Sequence, residues 1–545
     1  MAKQIVHEVK EVKSIKNMLN MAVKEAGDSL AYRYKGEGND IVDVTFKQFY
    51  DDIENLGAAL TERGFGNSHI ACVGNNSYRW IVTYLTVLKS AGVYVPVDCE
   101  LPTPEMLHVL LNSDAEVIFY SEKLENWMHE HREELPSVKL FVGIDRKEND
   151  GEFLSFEKLI EEGKKLDRTA YDSLTSDEYE MKMLVYTSGT TGVAKGVMLT
   201  EHNLTSLIYY GLQVSTVYDT GLSVLPYNHT YEAVCDILVC IHAHVTLCIN
   251  ESLKVVSKNI KIYKPAFMMV VPAFAEEFYS AIMRTIRKQG IEKKFNTGIK
   301  LSNFLRKLGI DKRKKIFKDI HENFGGKLQK LVCGGAPIRY EINKFFDDIG
   351  IILTGGYGIT ECSPLVCVND EKSNCCYSAG HRIACVQWRI DEPDSEGIGE
   401  ICVKGDTVMK GYYKNPEKTA EVLRDGWFYT GDYGYITPDD QLVITGRKKN
   451  IIVLNNGKNI YPEEIENYIS GIDYITEVVV RGIKNEFGQE TGLLAEIYMA
   501  EPHSKEEAMA DIRQKLKDLP SYKTISKVVV RDTPFNKTTT RKIRR

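Results

Sequence analysis

Short runs of β-branched and other apolar residues punctuate the first two thirds of the chain: HIACVG (69–74), VYVPV (93–97), EVIFYS (116–121), KLFVGI (139–144) and MLVYT (183–187). The series resumes with LSVLP (222–226), VTLCI (245–249), FMMVV (267–271) and IILTG (351–355). Runs this short, without strict alternation, are the pattern of strands buried on both faces. Between them lie longer stretches whose apolar positions recur at helical spacing, such as FKQFYDDIENLGAALTERG before the first run. Strand and helix in alternation predict βαβ units and parallel sheet, hence an α/β fold with flanking helices.

Near residue 384 the texture changes. Shorter strands with turn signals follow, GIGEICVKGD and DDQLVITGR among them, and predict a small β-rich subdomain over about 384–446. After GRKKN (446–450) a compact α+β pattern runs to the end, with IIVLN, TEVVVRGI, LLAEIYM and ISKVVVRD as strands. The expected organisation is a large N-terminal domain over 1–446 and a small C-terminal α+β domain over 447–545. No repeat and no low-complexity linker separates them, so the boundary is a short hinge.

Composition narrows the function classes. At 43% hydrophobic and 27% charged residues this is an ordinary globular chain, and 545 residues exceed a single core. A net charge of −7 speaks against general nucleic-acid binding. The N-terminus has no apolar core of signal-peptide length, and no apolar run approaches a membrane span, so a cytoplasmic, reducing location is expected. Of the twelve cysteines, Cys362, Cys367, Cys375 and Cys376 cluster without paired C-x2-C spacing, which favours free thiols over a metal site. One segment departs in charge: residues 284–330 hold fifteen Lys/Arg against four acids, with interleaved apolar residues. It fits a solvated helical face first, and peripheral contact with an anionic membrane or an acidic carrier protein second.

The stretch YTSGTTGVAKGV (186–197) follows a predicted strand and is rich in Gly, Ser and Thr. Glycines let backbone N–H groups approach phosphate oxygens, and Lys195 adds a cation. It is not a Walker A loop, because the lysine precedes the last glycine and no Ser or Thr follows it. It resembles instead the nucleotide loop of the acyl-adenylate-forming (AMP-binding) superfamily, with Ala194 where proline is usual. CGGAPI (333–338), GGYGITE (355–361), the segment GYYKNPEKTAEVLRDGWFYTGDYGYI (411–436) and ITGRKKNIIVLNNGKNIYPEEIE (444–466) resemble further family motifs, in the family's order. LPYNHTYE (225–232) is similar to the version found in long-chain fatty acyl-CoA synthetases.

The resemblance implies activation of a fatty acid by ATP and Mg²⁺ to an acyl adenylate, with pyrophosphate release, then transfer to CoA. It implies that Thr187, Ser188, Gly189, Thr190, Thr191, Gly192 and Lys195 hold the β- and γ-phosphates. Tyr357 stacks on adenine, and Gly335, Ala336, Gly356 and Gly358 line the base. Thr360 binds the α-phosphate, and Glu361 holds Mg²⁺. Asp432 takes the ribose hydroxyls, with Arg447 beside it. His229 closes the acyl pocket mouth. Lys449 is the hinge about which the small domain rotates, and Gly457 and Lys458 line the approach of CoA. Aligning the terminal PFNKTTTRKIRR makes Lys542 the adenylation lysine, with Lys537 as alternative; Arg541 stands where the family has glycine. An acyl carrier protein is the rival acceptor, and a sensor that binds acyl chain or nucleotide without turnover is the rival class. In CDILVCIHAHVTLCI (235–249) and PAFMMVVPAFAEEFYSAI (265–282) no acid or base is expected to be buried where it would recognise an amino-acid ammonium, which favours an apolar acyl chain; Phe267, Met268, Met269 and Phe274 fit plain core as well.

Overall fold

The computed structural model describes residues 6–36, 38, 40–187, 194–369, 371, 377–455, 458–486, 488–499, 503–537, 543 and 545. Two large sheets dominate it. The first has nine strands, in the order His381–Arg382, Cys367–Val368, Ile352–Tyr357, Lys330–Cys333, Phe267–Val270, Thr220–Ser223, Thr246–Ile249, Leu30–Lys35, Ile41–Thr45. Its interior pairs are parallel, and antiparallel pairs close both edges. The second has eight, in the order Gly411–Tyr412, Lys195–Thr200, Met181–Thr187, Val93–Val97, His69–Val73, Val117–Tyr120, Leu140–Gly143, Phe153–Ser155. Every apolar run that predicts a strand in the N-terminal two thirds forms one, because each is buried on both faces as parallel strands must be.

The helix Phe46–Glu62 starts where the pattern predicts, stopped at its N-terminus by a capping box of Thr45 and Gln48. Apolar side chains of both sheets and their helices merge into one large buried cluster, and a second covers the other face of the eight-stranded sheet.

The later part of the chain forms a five-stranded sheet containing Val386–Asp391, Gly399–Gly405, Leu423–Arg424, Trp427–Ile436 and Leu442–Arg447. Beyond it, Ile475–Lys484, Glu490–Met499 and Ile525–Val530 make a three-stranded sheet packed with helices Pro462–Ile469 and Lys505–Lys515. The apolar residues of this last unit form a cluster of their own, from Ile452 to Val528.

Two features go beyond the sequence pattern. Strand Lys195–Thr200 runs back antiparallel to Met181–Thr187, with Thr187 opposite Lys195. The glycine-rich stretch therefore separates two hairpin strands, whereas a Walker A loop runs from strand to helix. The helix Glu201–Val214 begins only after Thr200. The second feature is the hairpin of Leu30–Lys35 and Ile41–Thr45, which forms one edge of the nine-stranded sheet.

Candidate active site

The carboxyl ends of parallel strands are where α/β folds collect ligands, since backbone and loop groups converge there. Lys330–Cys333 and Ile352–Tyr357 end side by side, Cys333 opposite Gly355. The first runs into Gly334, Gly335 and Ala336, the second into Gly358 and the turn Thr360–Cys362. Gly335 has φ +87°, a left-handed conformation suited to glycine. At Gly358 a β-carbon would lie 1.5 Å from the Pro364 carbonyl oxygen, so no other residue fits. Two of the three glycines predicted to line the base, Gly335 and Gly358, thus have a backbone reason to be glycine.

Asp432 is buried in strand Trp427–Ile436, directly opposite Arg447 on Leu442–Arg447. The Arg447 Nε stands 2.8 Å from its carboxylate, and the Tyr357 hydroxyl donates to Oδ2 at 2.7 Å. Burial, then the Asp432 charge, holds the Tyr357 phenol far above the ordinary tyrosine range, so it stays a donor. The predicted adenine and ribose residues are therefore joined by a hydrogen bond that spacing alone does not reveal.

Glu361 sits in the turn Thr360–Cys362, and the Tyr412 hydroxyl donates to its Oε1 at 2.9 Å. Tyr412 is buried, with the Lys195 ammonium 5.6 Å from the centre of its ring. Burial first, then Lys418, lowers the Lys195 pKa, while Glu361 opposes the shift.

The segment 409–413 ties these groups together. Gly411 and Tyr412 pair with Met198 and Val197, the Tyr413 N–H donates to the Gly196 carbonyl at 2.8 Å, and the Met409 N–H donates to the Glu361 carbonyl at 2.8 Å. Asn203, in the cap of helix Glu201–Val214, donates its side-chain amide to the Asp406 and Val408 carbonyls at 2.7 and 3.0 Å. One short segment thus links the strand after the phosphate stretch to the carboxylate expected to hold Mg²⁺. Sequence reasoning passed over Tyr412, although it stands in the quoted GYYKNP motif.

His229 lies half-buried at the start of the helical stretch Thr230–His242, and its carbonyl accepts from the Glu232 and Ala233 N–H groups. Next to it, the Tyr231 ring covers Gly334, and the Tyr231 hydroxyl donates to the Val332 carbonyl at 2.9 Å. The LPYNHTYE segment and the adenine-side segment are therefore neighbours. The helix is π-wound over Ala233–Leu238, a distortion frequent at functional sites. It buries Glu232 and Asp236; the Ser223 hydroxyl donates to Glu232 Oε1 at 2.5 Å. Burial, then the Asp236 charge, raises the Glu232 pKa well above the carboxylate range, and burial also raises Asp236. Phe267, Met268, Met269 and Phe274 are all buried within the main cluster.

Ser188, Gly189, Thr190, Thr191, Gly192, Gly457, Arg541 and Lys542 lie outside the described residues. Lys449 is exposed in the turn Lys448–Asn450; Lys448 pairs with Glu400 at 2.6 Å, and Asn450 donates to Glu463 at 2.5 Å. Lys458 stands 5.6 Å over the Tyr522 ring. Lys537 pairs with Glu477 at 2.5 Å, and its backbone bridges to Ile543. Among the described residues no group of three His, Cys, Asp or Glu is arranged to hold a metal. Glu361, held by a neutral donor, fits a hard cation completed by water and phosphate oxygens.

The family model for the AMP-binding enzyme matches residues 19–413. The chain belongs to the AMP-binding enzyme family. This AMP-binding enzyme is 28% identical over 522 residues to the long-chain-fatty-acid–[acyl-carrier-protein] ligase AEE15 of Arabidopsis thaliana, covering 81% of this chain and 70% of the relative. It is 28% identical over 498 residues to long-chain-fatty-acid–CoA ligase 5 of Rattus norvegicus, covering 85% and 72%. Its fold matches that of the anthranilate CoA ligase AuaEII, solved with anthranoyl-AMP, at a TM-score of 0.80 and 18% identity over 98% of this chain and 96% of that one. It is an adenylate-forming, acyl-activating enzyme.

Proposed function

We propose that the protein activates a long-chain fatty acid with ATP and Mg²⁺, releases pyrophosphate, and transfers the acyl group from the adenylate to CoA. The observation that carries this reading is the pairing of two prepared ends: Asp432 oriented by Tyr357 and Arg447, and Glu361 oriented by Tyr412 beside Lys195. Their separation into a ribose end and a phosphate end suits one nucleotide lying across the strand ends.

The chemistry asks for positioning and charge stabilisation more than for acid–base groups. The fatty-acid carboxylate attacks the α-phosphorus of ATP, and the bond to pyrophosphate breaks. Lys195, with Thr187 and the rest of the stretch 188–192, neutralises the departing β- and γ-phosphates. Thr360 holds the α-phosphate. Glu361 would hold Mg²⁺, which would supply further charge neutralisation at the phosphates. The o-succinylbenzoate CoA synthetase of Bacillus subtilis, of similar fold at 19% identity and a TM-score of 0.74, was solved with ATP and a magnesium ion. Lys542 stabilises the charge shared between carboxylate and α-phosphate. His229, beside the adenine-side segment, guards the acyl entrance. For the second step the unit from residue 447 onward turns about Lys449, withdraws Lys542, and brings Gly457 and Lys458 to the thiol.

The fatty-acid substrate draws its support from the names of the relatives. One of them uses an acyl carrier protein, so a carrier phosphopantetheine is the second reading for the acceptor. The deciding experiment is pyrophosphate release from ATP and Mg²⁺ across fatty acids of graded length, with CoA, with an acyl carrier protein, or with neither. Release that depends on chain length and accelerates with CoA is the expected result. Acceleration by the carrier protein alone would transfer the reading to a carrier ligase. No release with any acid, from protein that still binds ATP, would favour a sensor.

A further inference from the structure

We propose that the outward face of helix Glu292–Lys307, with the turn that follows it, is a docking surface for an anionic lipid bilayer. The helix is fastened to the body of the protein along one side. Phe295 stacks edge-on against Phe317, Ser302 is fully buried, Asn303 donates to Asp348 at 2.9 Å, and Arg306 pairs with Asp347 at 2.8 Å. Positions 295, 299, 302, 303 and 306 share that side at a period of about 3.6 residues.

The opposite side carries Leu301, Phe304 and Leu308, spaced by three and four residues. They are 51%, 59% and 60% exposed. A left-handed Gly309 then turns the chain, the Ile310 N–H donates back to the Leu305 carbonyl at 3.0 Å, and Ile310, 43% exposed, extends the stripe. Four large apolar side chains this exposed and this close together are a patch that asks for a cover.

Charge identifies the cover. Lys293, Lys300 and Lys307, spaced by seven, flank the stripe on one side, and Lys294 borders the other. Between residues 293 and 310 there is no acid. The nearby carboxylates are engaged by other cations: Glu292 by Arg287 at 3.6 Å, Asp347 by Arg306 and Arg313, and Asp311 by Arg313 at 2.7 Å. An apolar stripe bordered along its length by lysines is the layout of a helix lying in a membrane interface, with side chains among the acyl chains and ammonium groups at phosphate level. A second copy of the chain would set these lysines against the same lysines. This surface stands independently of the activity proposed above, since its readout is binding.

The test is co-sedimentation of the full chain with vesicles of phosphatidylcholine alone or mixed with phosphatidylglycerol, at low and high salt. The compared variants are Phe304→Ser with Leu308→Ser, and Lys293→Glu with Lys300→Glu and Lys307→Glu. All five side chains are exposed, and pyrophosphate release with a water-soluble acid serves as a fold check. Binding to the anionic vesicles is expected to fall about tenfold in each variant and with added salt. Binding that is equal in parent and variants, or absent from both vesicle types, overturns the proposal. So does a saturable complex with an acyl carrier protein, or concentration-dependent self-association, that the same variants abolish while vesicle binding stays unchanged.

Discussion

Tyr412 and Tyr357 do the same job at two ends of the site. Each is a buried phenol whose hydroxyl points at one carboxylate, Glu361 and Asp432 respectively. A neutral donor fixes a carboxylate's direction without cancelling its charge, which leaves Glu361 its affinity for a cation, while at Asp432 the phenol acts beside the Arg447 ion pair. Removing the phenolic oxygen at Tyr412 leaves the ring to fill its space and frees Glu361. Tyr412→Phe should therefore raise the Mg²⁺ concentration needed for half-maximal pyrophosphate release about tenfold, with little change in unfolding midpoint. An unchanged Mg²⁺ dependence would remove Glu361 from the metal site or Tyr412 from its support. Tyr357→Phe should instead raise the KM for ATP at saturating Mg²⁺, because its partner is on the ribose side. A matched change in both variants would contradict the separate assignment of the two ends.

The element that most needs a physical account is the π-wound helix Thr230–His242. It buries two carboxyl groups, Glu232 and Asp236, four residues apart. Two ionised carboxylates cannot share an apolar site, so the folded state keeps a proton there. The unfolded chain releases that proton at ordinary carboxylate pH. Above about pH 4 the native state thus binds more protons than the unfolded one, and stability falls as pH rises toward the raised native values. Glu232→Gln combined with Asp236→Asn should remove this part of the slope in urea midpoints measured between about pH 5 and 8. A parent whose midpoint rises with pH over that range, or matches the variant throughout, would show that the pair is ionised when folded. The sequence marks this stretch as apolar but neither as a helix nor as π-wound, since so short an apolar run carries no period that separates strand, α-helix and π-helix.

At the scale of the whole molecule, the unit from Ile452 to Val528 has its own apolar cluster and meets the rest through polar contacts and the ring pair Tyr433–Tyr461, whose centres lie 6.2 Å apart. Arg339 donates to the Ser470 carbonyl at 2.7 Å, and Arg287 reaches Asp473 at 3.3 Å. Such contacts resist rotation weakly. The turn Lys448–Asn450 is the covalent path between the units, consistent with a hinge at Lys449. Lys542→Ala should abolish pyrophosphate release yet spare thioester formation from a supplied acyl adenylate. Lys449→Pro, which stiffens the backbone at the hinge, should do the reverse and slow only the thioester step. Parallel loss of both steps in either variant would argue against rotation. Lys537, paired with Glu477 inside the small unit, is engaged there, so Lys537→Ala should leave pyrophosphate release close to the parent's.

The sequence by itself determined the buried parallel strands and the family. Apolar runs with β-branched residues bury on both faces wherever they fall in an α/β chain, and the phosphate-loop, Tyr-Gly-x-Thr-Glu and Thr-Gly-Asp stretches are local enough to be read residue by residue. The tertiary structure decided what lies between those stretches. Tyr412 reaches Glu361 only because Gly411–Tyr412 pairs with Lys195–Thr200, and Tyr357 reaches Asp432 only because two different sheets meet there. Likewise, the interleaved apolar residues of 284–330 divide into an anchored side and an exposed stripe only once the helix has a body to pack on. A contact between residues far apart in the chain has no period or spacing, so it becomes visible only when packing has brought its partners together.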